Sequence, residues 1–107
     1  MDWTFRLNVT NGTDHALTVD APDLRWGVWW TGGRDGARPV TVKPGETAFA
    51  LGVHARKGPQ GYEFTCTWID KSNPSYGAVT LDIDVPFNKD NKSKLTVGGL
   101  YRVDGWS

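Results

Sequence analysis

The side chains best equipped for chemistry fall into three groups. Trp26, Trp29 and Trp30 stand close together and run into Gly32, Gly33, Arg34, Asp35 and Gly36, a glycine-rich turn. Glu63, Asp70, Asp82, Asp84 and Asp90 are the acidic candidates. His15, His54 and Cys66 are the candidate metal ligands and nucleophiles.

Each group has a structural role to set beside a functional one. A ring the size of Trp26 is expected to fill the space between two layers. Trp29 and Trp30 are adjacent, so a strand points them to opposite faces and leaves one outside the core. An exposed indole suits a lipid interface, where the ring meets apolar matter and the N–H meets water. It also suits stacking on the apolar face of a sugar. Asp82 and Asp84 share a face by alternation, but calcium asks for about six to eight oxygens and no EF-hand spacing occurs. Outward aspartates on a strand also protect its edge, and nothing in the spacing asks for a glycosidase carboxylate pair. Two histidines and one cysteine make no zinc set. Cys66 alternates with Tyr62, Phe64 and Trp68 and reads as a small buried hydrophobe. No serine has a nucleophile-elbow context and no phosphate loop is present. A non-catalytic protein without cofactor or metal is expected.

Arg34 and Arg38 lie in one loop, His54, Arg56 and Lys57 in another. Brought together at one end of the fold they would form a basic rim suited to a phosphate-bearing headgroup. Twelve basic residues balance twelve acidic ones, which argues against a nucleic-acid partner.

The elements that must position these groups are short. Trp3, Phe5, Leu7 and Val9 alternate with polar residues up to Asn11-Gly12, a turn dipeptide. Leu17 and Val19 continue the pattern to Pro22, and a strand is expected from Leu24 to Thr31. Val40 and Val42 suggest another, closed by Pro44-Gly45. Phe49, Leu51 and Val53 should face one way, and Ala48, Ala50 and Gly52 the other, where a second sheet or a ligand approaches closely. Tyr62, Phe64, Cys66 and Trp68 define the clearest strand, and Val79, Leu81, Ile83 and Val85 the next. After a charged loop at 88–94, Leu95 and Val97 lead through Gly98-Gly99 to a return strand with Tyr101 and Val103, and Trp106 follows. No helical period occurs. One all-β domain spanning 1–107 is expected, an antiparallel β-sandwich of about eight or nine short strands. At 107 residues such a chain buries roughly two-thirds of its unfolded surface.

The order of several segments resembles the aegerolysin family. They are Leu24-Arg25-Trp26-Gly27, Val42-Lys43-Pro44-Gly45-Glu46, Gly58-Pro59-Gln60-Gly61-Tyr62-Glu63, Trp68-Ile69-Asp70 and Asp82-Ile83-Asp84-Val85-Pro86-Phe87, with Asn88 or Asn91 soon after. The order and spacing, over roughly residues 5 to 97, carry the resemblance rather than any single piece. It implies a small β-sandwich that binds membranes through lipid headgroups such as those of sphingolipids, in some members alongside a separate perforin-like protein that makes the pore. It also implies that Trp26, Glu63, Asp84 and Phe87 lie at or near lipid-contacting segments. Asp82 stands where an aromatic is common in the family, Val85 where cysteine is common, and the chain ends at Ser107 where the family usually continues.

The leading expectation is a non-catalytic protein that binds membrane-lipid headgroups, cytolytic with a partner. Its ligand-binding residues would be Trp26, Trp29, Trp30, Arg34, Arg56, Glu63, Asp84, Phe87 and Asn91. The alternatives are a lectin, with Trp29 or Trp30 on a sugar and Asp84, Asn88 or Asn91 on its hydroxyls, and a structural protein whose edges pair into a homo-oligomer. The segment after Met1 has no basic or apolar region of a signal peptide, and a lone cysteine allows no internal disulfide. Both fit a cytoplasmic protein, or one secreted without a conventional signal peptide. Asn8, Asn11 and Asn91 begin sequons that are expected to be idle.

Overall fold

The structure is a computed structural model that describes residues 4–55, 61–86 and 90–104. Trp3, Arg56, Lys57, Gly58 to Gln60, Phe87, Asn88 and Trp106 lie outside the described residues. Among the described residues, seven strands form two antiparallel sheets packed face to face. They are β1 (Thr4–Thr10), β2 (Thr18–Trp26), β3 (Val28–Trp29), β4 (Thr47–His54), β5 (Tyr62–Ile69), β6 (Ala78–Val85) and β7 (Lys92–Val97). One sheet has the order β1-β4-β3, the other β2-β5-β6-β7. Single 3₁₀ turns occur at Thr31–Gly33 and Pro74–Tyr76.

The alternation of β5 and β6 reads directly onto the sandwich. Phe64, Cys66 and Leu81 are fully buried, and Tyr62, Trp68 and Ile83 nearly so, while the intervening residues face outward. Leu51, Val53 and Ala50 close the core from the other sheet. The Phe64 ring lies 5.4 Å from Phe5 and 5.8 Å from Trp29 between centroids, both edge-on, and stacks on Tyr62 at 6.5 Å. Edge-to-face packing matches the ring quadrupoles, so one side chain joins β1 and β3 of the first sheet to β5 of the second.

The structure differs from the sequence expectation at several elements. Val40 and Val42 form no strand: Val42 makes an isolated bridge with Leu17, and Val40 uses its carbonyl to accept the Trp68 indole N–H at 3.3 Å. Tyr101 and Val103 form no return strand, because Gly98 and Leu100 instead donate to the carbonyls of Ala78 and Tyr76 at 2.9 and 2.8 Å. The expected strand from Leu24 to Thr31 is cut in two at Gly27. The φ of Gly27 is +112°, and a Cβ there would sit 2.8 Å from the Tyr62 Cβ. Glycine therefore lets the chain turn out of one sheet and into the other. Pro22 does not end β2, which absorbs it in an irregularity between Asp20 and Asp23. The charged segment after residue 88 is strand from Lys92 onward.

A further irregularity separates Leu7↔Leu51 from Asn8↔Phe49 in the β1–β4 ladder. It places an unmatched residue at Ala50. Ala50 through Val53 are all buried, and Phe49 leaves the face it was expected to share with Leu51 and Val53. The Phe49 ring instead lies over Gly52, where a Cβ would be only 2.9 Å from it. The small residue at 52 thus accommodates an aromatic ring of the same strand.

Asn11 is a buried bracket. Its side chain donates to the carbonyls of His15 at 2.7 Å and Val42 at 3.0 Å, and accepts from the Thr13 amide at 3.0 Å and the Thr13 hydroxyl at 2.7 Å. The backbone N–H of Asn11 donates to Glu46, and its carbonyl accepts from Gly45. Every hydrogen-bonding position of the amide is filled, which is what burial requires. Asn11→Ala should cost about 2–4 kcal/mol, since it strands several buried partners at once, read from urea unfolding. A loss below about 0.5 kcal/mol would show the bracket to be dispensable.

Asp70 caps the turn after β5. Burial pushes its carboxyl up, but hydrogen bonds from the Asn73 side chain and the Ser72 amide, with His15 3.9 Å away, outweigh this and hold it below the usual 3.8. A depressed folded pKa gives stability that is present above the unfolded value and lost as pH falls through the folded one. Thermal melts from pH 6 down to pH 2 should therefore show a shallower acid loss for Asp70→Asn than for the native protein.

Candidate functional site

Alternation in β5 and β6 turns a set of polar side chains onto the outer face of the four-stranded sheet. The registers align them in transverse rows. The first row runs Trp26, Glu63, Asp84, Lys92, and the second Asp23, Thr65, Asp82, Lys94. Glu63, Asp84 and Trp26, far apart in sequence, thus lie on successive strands at one end of the sandwich. Trp26 is 63% exposed. This corrects the expectation that Trp26 packs between the sheets. The register slips between Leu24 and Trp26, so Leu24 points inward while Arg25 and Trp26 are both exposed.

Arg25 holds the face together. Its Nε donates to Glu63, Nη1 donates to Asp23 at 2.8 Å, and Nη2 donates to the Thr65 hydroxyl at 3.0 Å. The Thr65 hydroxyl in turn donates to Asp82 at 2.6 Å. Partial desolvation pulls the Arg25 pKa down, but the bonds to Glu63 and Asp23 raise it further, and the guanidinium stays charged. The result is a surface where cations and carboxylates interleave, with an open indole at its end.

The outer face of the three-stranded sheet carries a second cluster. Trp30 is half-buried, its ring 5.9 Å from Phe49 and 6.4 Å from His54, with the Arg6 guanidinium 5.2 Å over its face. A cation on the ring face is a favourable contact and occupies one face of the indole. Nε2 of His54 lies 2.8 Å from a carboxylate oxygen of Asp35, which ties the loop at 31–38 to the end of β4. Arg34 and Arg38 are exposed on that loop. The expected basic rim therefore has an acidic member beside His54, and Arg56 and Lys57 lie outside the described residues.

Trp29 is in the core at 9% exposure and packs on Phe64. This corrects its assignment as a ligand contact: it is the inward partner of the Trp29-Trp30 pair. Asn91 is exposed just before β7, and Phe87 lies outside the described residues. Arg25, Arg6 and Lys92 were absent from the sequence-derived site. Arg6 had a usable signal, since it alternates with Phe5 and Leu7. Arg25 had the same signal, standing between Leu24 and Trp26, and the slip against β5 exposes Trp26 beside it.

Cys66 is fully buried, and burial pushes its thiol up to about 12, so it is not activated as a nucleophile. Among the described residues no group of three or more His, Cys, Asp or Glu could hold a metal ion, and no helix is long and apolar enough to cross a membrane. The fold and this face define an all-β sandwich with a polar, tryptophan-ended sheet surface. A scan against protein-family models finds no match.

The two tryptophans should separate sharply in unfolding experiments. Trp29→Ala is expected to cost about 3–5 kcal/mol, as for other large core rings. Trp26→Ala should change stability by less than about 0.5 kcal/mol, as for an exposed position. A large loss for Trp26→Ala would contradict its placement outside the core.

Proposed function

We propose that the protein is a non-catalytic lipid-binding sandwich that docks on membranes through zwitterionic headgroups, with Trp26 inserted at the headgroup layer. The observation that carries this reading is the 63% exposed Trp26 at the end of a row continuing through Glu63, Asp84 and Lys92. An indole face and nearby carboxylates attract a quaternary ammonium. Lysine at the far end of the same row suits the phosphate. Tryptophan is also the side chain best matched to the half-wet interface. The resemblance to aegerolysins supports the same reading, since Trp26, Glu63 and Asp84 are positions it singles out. Pore formation, on that resemblance, would be the work of a separate perforin-like protein.

The test is co-sedimentation with vesicles of phosphatidylcholine, of sphingomyelin in phosphatidylcholine, and of phosphatidylglycerol. Binding should favour the choline-headed vesicles. Trp26→Ala should weaken it about tenfold, or about 1.4 kcal/mol, with an unchanged circular dichroism spectrum. A folded sample that binds none of these compositions overturns the proposal. One observation favours a second reading: the Thr65 and Thr67 hydroxyls, Arg25 and the carboxylates beside the Trp26 indole are also groups that bind a sugar. Signal on a glycan array that disappears with Trp26→Ala, without vesicle binding, would decide for it.

A further inference from the structure

At the end of the sandwich away from Trp26 the two sheets do not close on each other. A cavity of about 480 Å³ lies between them, with Leu7 and Val9 of β1 on one side, Trp68, Leu81 and Leu95 on the other, and Tyr101 in the outer wall. Its volume falls within the range of pockets that enclose small ligands, about 300–1,000 Å³. Facing sheets stand about 10 Å apart, so the space is a slot roughly one side chain deep. Leu7, Val9, Leu81 and Leu95 line an aliphatic part and Asn8, Thr10, Thr13, Arg102 and Asp104 a polar part, a division that suits a flexible chain with a polar end better than a fused ring.

Two further features bear on what would occupy it. Asn11, on the cavity wall, has all its side-chain hydrogen bonds filled within the protein. The Tyr101 hydroxyl is buried and has no hydrogen-bond partner among the described residues. Buried hydroxyls are nearly always paired, and this one, on a residue that lines the cavity but itself closed off from it, is a donor that a turn of the ring would offer to a bound oxygen. The segment 101–104 that carries Tyr101 belongs to no sheet ladder. It is therefore inexpensive to displace for entry.

We infer that this cavity is a second binding site, which takes a single-chain aliphatic amphiphile whose polar oxygen accepts a hydrogen bond from the Tyr101 hydroxyl. The chain lies along Leu7, Val9, Leu81 and Leu95, and the oxygen meets the outer wall, where a small turn of the Tyr101 ring brings the hydroxyl to it. The site is independent of the headgroup face. Leu7 to Thr10 pair toward the Thr47 end of β4, whereas Gly27 leads from Trp26 into β3 at the His54 end.

The test is titration calorimetry of the full chain with dodecanol below its solubility limit and, separately, with dodecanoate below its micelle concentration. Saturable one-to-one binding of at least one is expected. Leu95→Trp, which fills the slot, should abolish it, and Trp26→Ala should leave it unchanged. Tyr101→Phe keeps the ring and removes only the hydroxyl. It should melt no lower than the native protein, since it removes an unpaired group, and should bind about tenfold more weakly. Absence of saturable binding by the folded native chain overturns the proposal, as does binding that survives Leu95→Trp. A Tyr101→Phe variant that melts lower, or that binds as well as the native protein, overturns the role of the hydroxyl. Vesicle binding by Leu95→Trp reports separately on the headgroup face, so the two readings fail independently.

Discussion

The Phe64 ring sits without solvent exposure where the two sheets meet, touched by Phe5 from β1, Trp29 from β3 and Tyr62 from its own strand. Aromatic rings bury about 150–250 Å² each, so this cluster is a large share of the apolar surface that a chain of this size removes from water. Its geometry has consequences at the surface. Trp29 must point inward to reach Phe64, and strand alternation then forces Trp30 outward, under Arg6 and beside Phe49. Tyr62 must point inward too, which turns Glu63 and Thr65 to the outer face where Arg25 finds them. The polar face follows from the parity of the aromatic core.

Irregularities in the ladders do the rest. The slip between Leu24 and Trp26, the bend at Gly27 and the unmatched residue at Ala50 each re-aim one aromatic ring. Without the first two, Trp26 would follow Leu24 by strict alternation and point inward. Without the third, Phe49 would stay with Leu51 and Val53, and Trp30 would lose one of its two edge-on neighbours. Ladder irregularities increase local twist and redirect side chains. Here they move two of the largest apolar rings to the outside of the sandwich. The Asn11 amide acts at the opposite end, where it joins the end of β1 to the segments around His15 and Val42 and leaves room beside itself for the inter-sheet cavity.

The parts that were legible in the sequence are those where alternation runs unbroken for a whole strand. Tyr62 to Ile69 and Val79 to Val85 read onto β5 and β6 almost residue for residue, and Trp29 and Trp30 were expected on opposite faces. The misreadings share a cause. Val40 with Val42, and Tyr101 with Val103, alternate locally, yet no neighbouring strand offers them a ladder. Trp26 was assigned to the core by its size, because the slip that exposes it exists only against β5. Asn11-Gly12 looked like an ordinary turn, whereas the burial of its amide depends on carbonyls at His15 and Val42.

By itself the sequence determined the all-β class, the two-faced pattern of the central strands and the buried position of Cys66, because period-two hydrophobicity is a property of each strand alone. The resemblance named Trp26, Glu63 and Asp84, and the strand registers place these three in one row. The tertiary structure alone decided which rings face solvent, that Arg25 clasps Glu63 and Asp23, and that a cavity remains between the sheets near Tyr101. Those outcomes depend on register and on the closing of two sheets over one another. A slip of one residue reverses the face of every side chain beyond it, and that slip is set by the partner strand.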